Sequence, residues 1–401
     1  MAFTDSEPGF LDLEAAYGVR LVAGSPGGLD LEPNFLQPAL FWKVVAGQRI
    51  PLFSRGGIST AQRRRSLVPG NFFPDASTTG VYDDSLLVDM TGSTPLIITT
   101  PETHYENVRF LRNVEVRTAG VSFRNCEFRG PGVAMGTLLL TAVHQDVETL
   151  LIEDCTFAPA YASDNQNNIM GHGMKVLRCE MRGGVDNIGA APYTSGPNSG
   201  RVNTEIMGCW MHSTWFFSPH PGQSDNVTHT DVIQWHGGGG LTIYGNRLEG
   251  YLNPAIGQAS DPPLPVGGYP TNHASGNPWG ASSLTGKLYG MSILMISPGN
   301  GTHSELVFEK NWMTGSLVGI NGIGARLDFL EPGNASVKGN RISVDWKNTM
   351  DSIAGFTVPT SFAMVFQSDH FIDVQDNWLW DTLDDPFAHE GITPNNTRRN
   401  I

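Results

Sequence analysis

Four of the chain's eleven histidines fall between residues 212 and 236, in MHSTWFFSPHPGQSDNVTHTDVIQWHGGGG, the densest mixture of titratable and aromatic side chains in the sequence. His229 and Asp231 stand two apart on a strand-like segment and therefore share a face. Asp186, in GGVDNIG, precedes an apolar residue within two positions, as Asp231 does. If the two segments stack, the carboxylates become neighbours that repel and share a proton. One pKa then rises, which is how a general acid is set beside a base or nucleophile. His229 could orient one carboxylate or relay its proton. Gln234 and His236 follow the adjacent apolar pair Val232 and Ile233, which implies a local bend and leaves their facing open. Trp215 and Trp235 flank the cluster, together with Trp210, Phe216 and Phe217, and Trp279 comes later. Indole beside polar groups suits a sugar ring, whose C–H face stacks while its hydroxyls find hydrogen bonds. The competing reading gives the carboxylates to turns and the aromatic and histidine side chains to a subunit contact.

A repeat must position these residues. Cys126, Cys155, Cys179 and Cys209 share one local frame, with an apolar residue three before and another two after: FRNCEF, IEDCTF, VLRCEM and IMGCWM. The frame continues with asparagine in the same slot at Asn246, Asn311, Asn340 and Asn377, in IYGNRL, FEKNWM, VKGNRI and VQDNWL. Successive slots lie 29, 24, 30, 37, 65, 29 and 37 residues apart, periods that belong to solenoids. The gap of 65 suggests a hidden coil, for which LYGMSILMIS at 288–297 is the candidate. Apolar stretches of four to eight residues between slots read as strands.

Short strands stacked coil on coil by parallel pairing predict an all-β fold, a right-handed parallel β-helix. About ten coils over residues 108–380, at ~4.8 Å each, give a rod of roughly 50 Å. The two apolar positions of the frame differ in parity, so a bend falls between them. Asparagine in the slot suits that bend by tolerating left-handed backbone and by bonding to the amide one coil away. Cysteines in register keep their β-carbons about 4.8 Å apart, beyond the ~3.8 Å of a disulfide, and are expected as buried free thiols.

The remaining composition narrows the function classes. Lys plus Arg is 25 against 39 for Asp plus Glu, a net charge of −14 that will not attract nucleic acid or an anionic membrane. No apolar run reaches the ~18 residues of a membrane span, and MAFTDSEPGF lacks the pattern of a secretory leader. No CxxC pair suggests zinc or redox chemistry, and neither a metal nor a cofactor is expected. Residues 1–70 do not fit the coil frame and carry seven bases and six acids, leaving −15 for the rest. They read as a separate N-terminal module, with β character in FWKVVAGQRIPLF and a basic connector around Arg63, Arg64 and Arg65. The β-helix then takes 71–380 and an irregular tail 381–401, with a Gly/Pro-rich excursion at 253–286 of the kind that carries function or interface.

The segments FFPDASTTGV, VRFLRNVEVRTAGVSFRNCEFRG and HTDVIQWHGGGGLTIYGNRLEG resemble the pectate-lyase-like β-helix proteins of actinobacteria and their phages, over roughly residues 72–380. The opening LEPNFLQPALFWKVVAGQRIPLFSRGG looks like that of actinobacteriophage minor tail proteins. This resemblance implies a β-helix spike, a homotrimer assembled in the host cytoplasm and built into the virion. Residues 1–70 would contact other tail proteins, and the rod would meet host surface polysaccharide without inserting into a membrane. The alternative is a polysaccharide lyase or glycoside hydrolase using Asp186, Asp231 and His229, with Trp215, Trp235, His236 and Gln234 holding substrate. The paired-aspartate and Gly-His signatures of polygalacturonases and a calcium-plus-arginine lyase site are not recognisable in the chain.

Overall fold

A computed structural model of the chain describes residues 42–45, 48–51, 73–133, 136–141, 146–161, 163, 166–215, 228–252, 288–297, 301–322, 326–327, 334–342, 364–366, 373–375 and 377–379. The C-terminal tail, the excursion at 253–286, Phe216, Phe217, Trp279 and most of residues 1–70 lie outside these. Trp42–Val45 and Gln48–Pro51 form an antiparallel hairpin, in keeping with the β character of that segment. From Val88 onward the chain winds as a right-handed parallel β-helix with no α-helix among the described residues. Each coil contributes one strand in turn to three parallel sheets. Sheet 1 begins at Val88–Thr91, sheet 2 at Leu96–Ile98 and sheet 3 at His104–Glu106. Sheet 1 holds ten strands and ends at Trp378–Leu379, while sheets 2 and 3 each hold nine in the winding path, with Tyr251–Leu252 added antiparallel to sheet 2 and Arg326–Leu327 beside sheet 3.

Both apolar positions of the repeat frame build the core. The residue three before the slot forms one column in sheet 3, from Phe123 through Ile152, Val176, Ile206 and Ile243 to Phe308. The residue two after forms one in sheet 1, from Phe128 through Phe157, Met181, Met211 and Leu248 to Met313. All of these side chains are buried. Phe110, Phe128 and Phe157 stack ring on ring, with centroids 4.9 and 4.4 Å apart, a gain beyond area burial of about 0.5–1.5 kcal/mol per pair.

The corner between sheets 3 and 1 shows how sequence makes the bend. The left-handed residue is the one before the slot: Asn125, Asp154, Arg178, Gly208, Gly245, Lys310 and Gly339 all have φ between 46° and 64°. The slot residue itself has another task, which corrects the expectation that asparagine is there for left-handed backbone. Asn246, Asn311 and Asn340 each donate through Nδ2 to Oδ1 of the next asparagine, at 3.0, 3.1 and 2.9 Å. Each also donates to a carbonyl one coil back, as Asn311 does to Ile243 at 2.9 Å. The thiols copy that second bond at greater length, with Cys179 Sγ 3.6 Å from the Ile152 carbonyl. All four cysteines are free and buried, as expected. The direct Asn246–Asn311 bond also shows that no coil hides in the gap of 65. Leu288–Ile296 is the sheet 2 strand of the coil that ends at Asn311.

Candidate functional site

Asp186 lies just before the sheet 2 strand Ile188–Ala190, and Asp231 opens the next sheet 2 strand, Asp231–Trp235. Ile188 faces Ile233, so the two aspartates occupy one register position on adjacent coils, as the sequence suggests. The main-chain amide of Asp231 donates to Oδ1 of Asp186 at 3.0 Å. Both residues are buried, at 5% and 1% exposure. Neither Asp231 oxygen has a hydrogen bond of full geometry, although Ser292, its register partner one coil further on, offers a hydroxyl and an amide.

Burial pushes Asp186 up to about 7, against the opposing pull of the Asp231 amide. Burial first, then the negative charge of Asp186, raises Asp231 well above the carboxylate range, with Ser292 acting against them. A buried ionised carboxylate without a partner is costly, and protonation relieves it. The pair can therefore hold a proton at neutral pH.

The structure does not gather the rest of the predicted cluster into an open groove around that pair. His229 is half-buried between the buried Thr228 and Thr230, and Thr230 is anchored by donating to the Trp215 carbonyl at 3.0 Å. Trp215 is 1% exposed and packs beside Gly183, whose φ of 69° and lack of a β-carbon leave room for the indole. Trp235 is wholly buried in the core, edge-on to His303 at 4.8 Å. Neither indole is an open platform, because each lies beneath other chain, and sugar contact by either would require uncovering it. Gln234 is half-buried on the outer side of sheet 2 between the core residues Ile233 and Trp235. His236 lies just past the strand, its amide on the Ala190 carbonyl at 2.8 Å. Burial, then the neighbouring His303, holds its imidazole below the usual range.

A second assembly lies on the outer face of sheet 1. In the later coils the register aligns the residues directly after the slot, Trp210, Arg247, Trp312, Arg341 and Trp378, and Trp210, Arg247 and Arg341 are partly exposed on the outer face. The Arg247 guanidinium sits 4.9 Å from the Trp210 ring and 5.3 Å from that of Trp312, within reach of a cation–π attraction. Trp210 Nε1 donates to Glu249 at 3.2 Å, and Arg247 pairs with the same carboxylate. His212 stacks on Trp210 at 3.9 Å and reaches Glu180 at 3.3 Å. The signal for this column was in the quoted frames, where CWM, NRL, NWM, NRI and NWL place tryptophan and arginine by turns after the slot.

No protein-family model, no curated protein and no solved structure matches this chain.

Proposed function

We propose that the chain is a structural and adhesive virion protein, a β-helix spike of the minor tail protein type that meets host cell-surface glycan. The observation that carries this reading is the outer column of sheet 1. It joins Trp210, Arg247, His212, Glu180 and Glu249 in one polar and aromatic strip along the outer face of sheet 1, whereas the paired carboxylates are buried. The half-buried indole of Trp210 beside fixed hydrogen-bonding groups suits a saccharide. The phage assignment, the homotrimer and attachment through residues 1–70 rest on the sequence resemblance. Retention of the protein on immobilised host envelope polysaccharide, with loss of retention in Trp210→Ala, tests the adhesive part. Incorporation into particles of a chain lacking residues 1–70 tests the attachment, and unchanged incorporation overturns it.

A second reading, a polysaccharide lyase or glycoside hydrolase, is favoured by one observation: Asp186 and Asp231 share a register position on adjacent coils and are both buried, which raises both carboxyls above their usual range. A protonated carboxyl beside an ionised one is the pair that glycosidic cleavage needs. New reducing ends or unsaturated products from host polysaccharide, abolished by Asp231→Asn, support it. Retention without products leaves the adhesive reading alone.

A further inference from the structure

Ser213 follows the sheet 1 strand Trp210–His212 in a conformation that serine rarely adopts. The register carries one turn position along this corner, filled in other coils by Gly130, Gly183 and Gly315, with φ of 71°, 69° and 76°. Serine takes that position at 213 and keeps φ at 57°, where a β-carbon is crowded and glycine is the usual choice. Flanking bonds hold it there. The Ser213 carbonyl accepts from the Gly183 amide at 3.1 Å, and the Trp215 amide donates to the Gly184 carbonyl at 2.8 Å. A side chain kept where the repeat itself calls for glycine points to a task for that side chain.

The serine meets a base. Its Oγ lies 2.7 Å from His212 Nδ1, and His212 Nε2 lies 3.3 Å from Oε1 of Glu180 on the preceding coil. A carboxylate only accepts, so Glu180 keeps the imidazole proton on Nε2 and turns the Nδ1 lone pair toward the serine. The Trp210 ring stacks on the imidazole at 3.9 Å and 22° and fixes its tilt, while Arg182 Nε sits 3.8 Å from the same Glu180 oxygen and steadies the carboxylate. Solvent reaches 12% of the His212 side chain and 21% of that of Glu180, and Ser213 is 7% exposed. Next in the chain, Thr214 Oγ1 is buried with no hydrogen-bond partner among the described residues, a donor of the kind that an oxyanion takes up.

Hydroxyl, imidazole and carboxylate in that order are a nucleophile, its base and the group that orients the base. We propose that Ser213, His212 and Glu180 hydrolyse esters, with a small O-acyl group on a sugar hydroxyl as the substrate class. Ser213 Oγ attacks the acyl carbon and passes its proton to His212 Nδ1. The bond from that carbon to the alkoxy oxygen breaks, and the imidazolium gives the proton to the departing alcohol. Water then attacks the acyl-serine with His212 as base, which releases the carboxylic acid and restores the hydroxyl. Ser213 and His212 are the catalytic residues, and Glu180 is a positioning residue. The sugar as carrier rests on the glycan reading, whereas the ester chemistry does not.

A fluorophosphonate, which phosphonylates activated serine hydroxyls, tests the chemistry without any glycan. The full chain should take up one phosphonyl group, located on Ser213 by peptide mass spectrometry, and should hydrolyse p-nitrophenyl acetate. Ser213→Gly suits the left-handed backbone, so it should leave the circular dichroism unchanged and lower turnover at least about a hundredfold. Glu180→Gln should lower kcat at least about tenfold with KM unchanged. No adduct, an adduct on another serine only, or turnover that either substitution leaves unchanged overturns the proposal. Acetate release from O-acetylated host polysaccharide, lost in Ser213→Gly, supports the sugar as carrier. Cleavage of p-nitrophenyl acetate without acetate release from a polysaccharide that retains the chain overturns that substrate class and leaves the glycan reading standing.

Discussion

Asp231 gives its amide proton to the carboxylate of Asp186 across one coil, at 3.0 Å, and so ties together two acids that repel. Folding raises both pKa values, so the folded chain binds more protons than the unfolded one between their unfolded and folded values. The associated stability is complete below about 4 and is lost as pH rises through about 7, where Asp186 titrates. Thermal unfolding should occur at a higher temperature at pH 5 than at pH 8. Asp186→Asn, which keeps the Oδ1 acceptor and removes the group that ionises as pH rises through about 7, should stabilise the rod at pH 8, by roughly 1–3 kcal/mol, and flatten the profile. A pH profile unchanged by that substitution would show that the pair is not its source.

Asn311 both donates to and accepts from its neighbours along the ladder. Asn311→Ala leaves the Asn246 amide and the Ile243 carbonyl buried without partners, and should cost about 2–4 kcal/mol. Denaturant titration measures it. Asn311→Cys should cost less, since the thiols of the earlier coils already stand in that column and make the carbonyl bond.

Burial pushes the Cys155 and Cys209 thiols up, and all four cysteines are closed to solvent. A disulfide reagent should label none of them quickly in the native protein and all four after unfolding. Fast labelling of the folded chain would mean that the corner opens.

Trp210→Ala and Trp215→Ala should separate binding from stability. The first removes a side chain from the outer strip and should weaken glycan retention about tenfold with a small change in melting temperature. The second empties a buried site and should cost about 3–5 kcal/mol, with retention changed only through unfolding.

The parts of this fold legible in sequence are those that recur. Phe123 and Phe128 stand at fixed offsets from Cys126 because each coil must bury the same two positions, and the same offsets find Ile206 and Met211 around Cys209. The pairing of Asp186 with Asp231 follows from that periodicity. What lies over the coils does not recur. Trp215 is buried against Gly183, Trp235 turns into the core, and the path of residues 80–88 depends on single contacts such as Tyr82 with Asn125, 43 residues apart. The left-handed position, one before the slot, is not legible in the sequence, because Arg178 and Lys310, read singly, carry no turn signal.

Residues 80–88 run along the outside of the corner between sheets 3 and 1, from Gly80 on the Arg178 carbonyl back to Val88 on the Asn107 carbonyl, and this path decides how the rod would bear a load. A pull applied upstream of Phe73 enters at the flank, near Arg178, and not at the first strand. The contacts of Gly80, Val81 and Tyr82 with three successive corners then resist together, in shear, instead of the coils peeling away one after another from the end. A tether anchored in this way passes force to the middle of the solenoid and leaves its terminal coil slack.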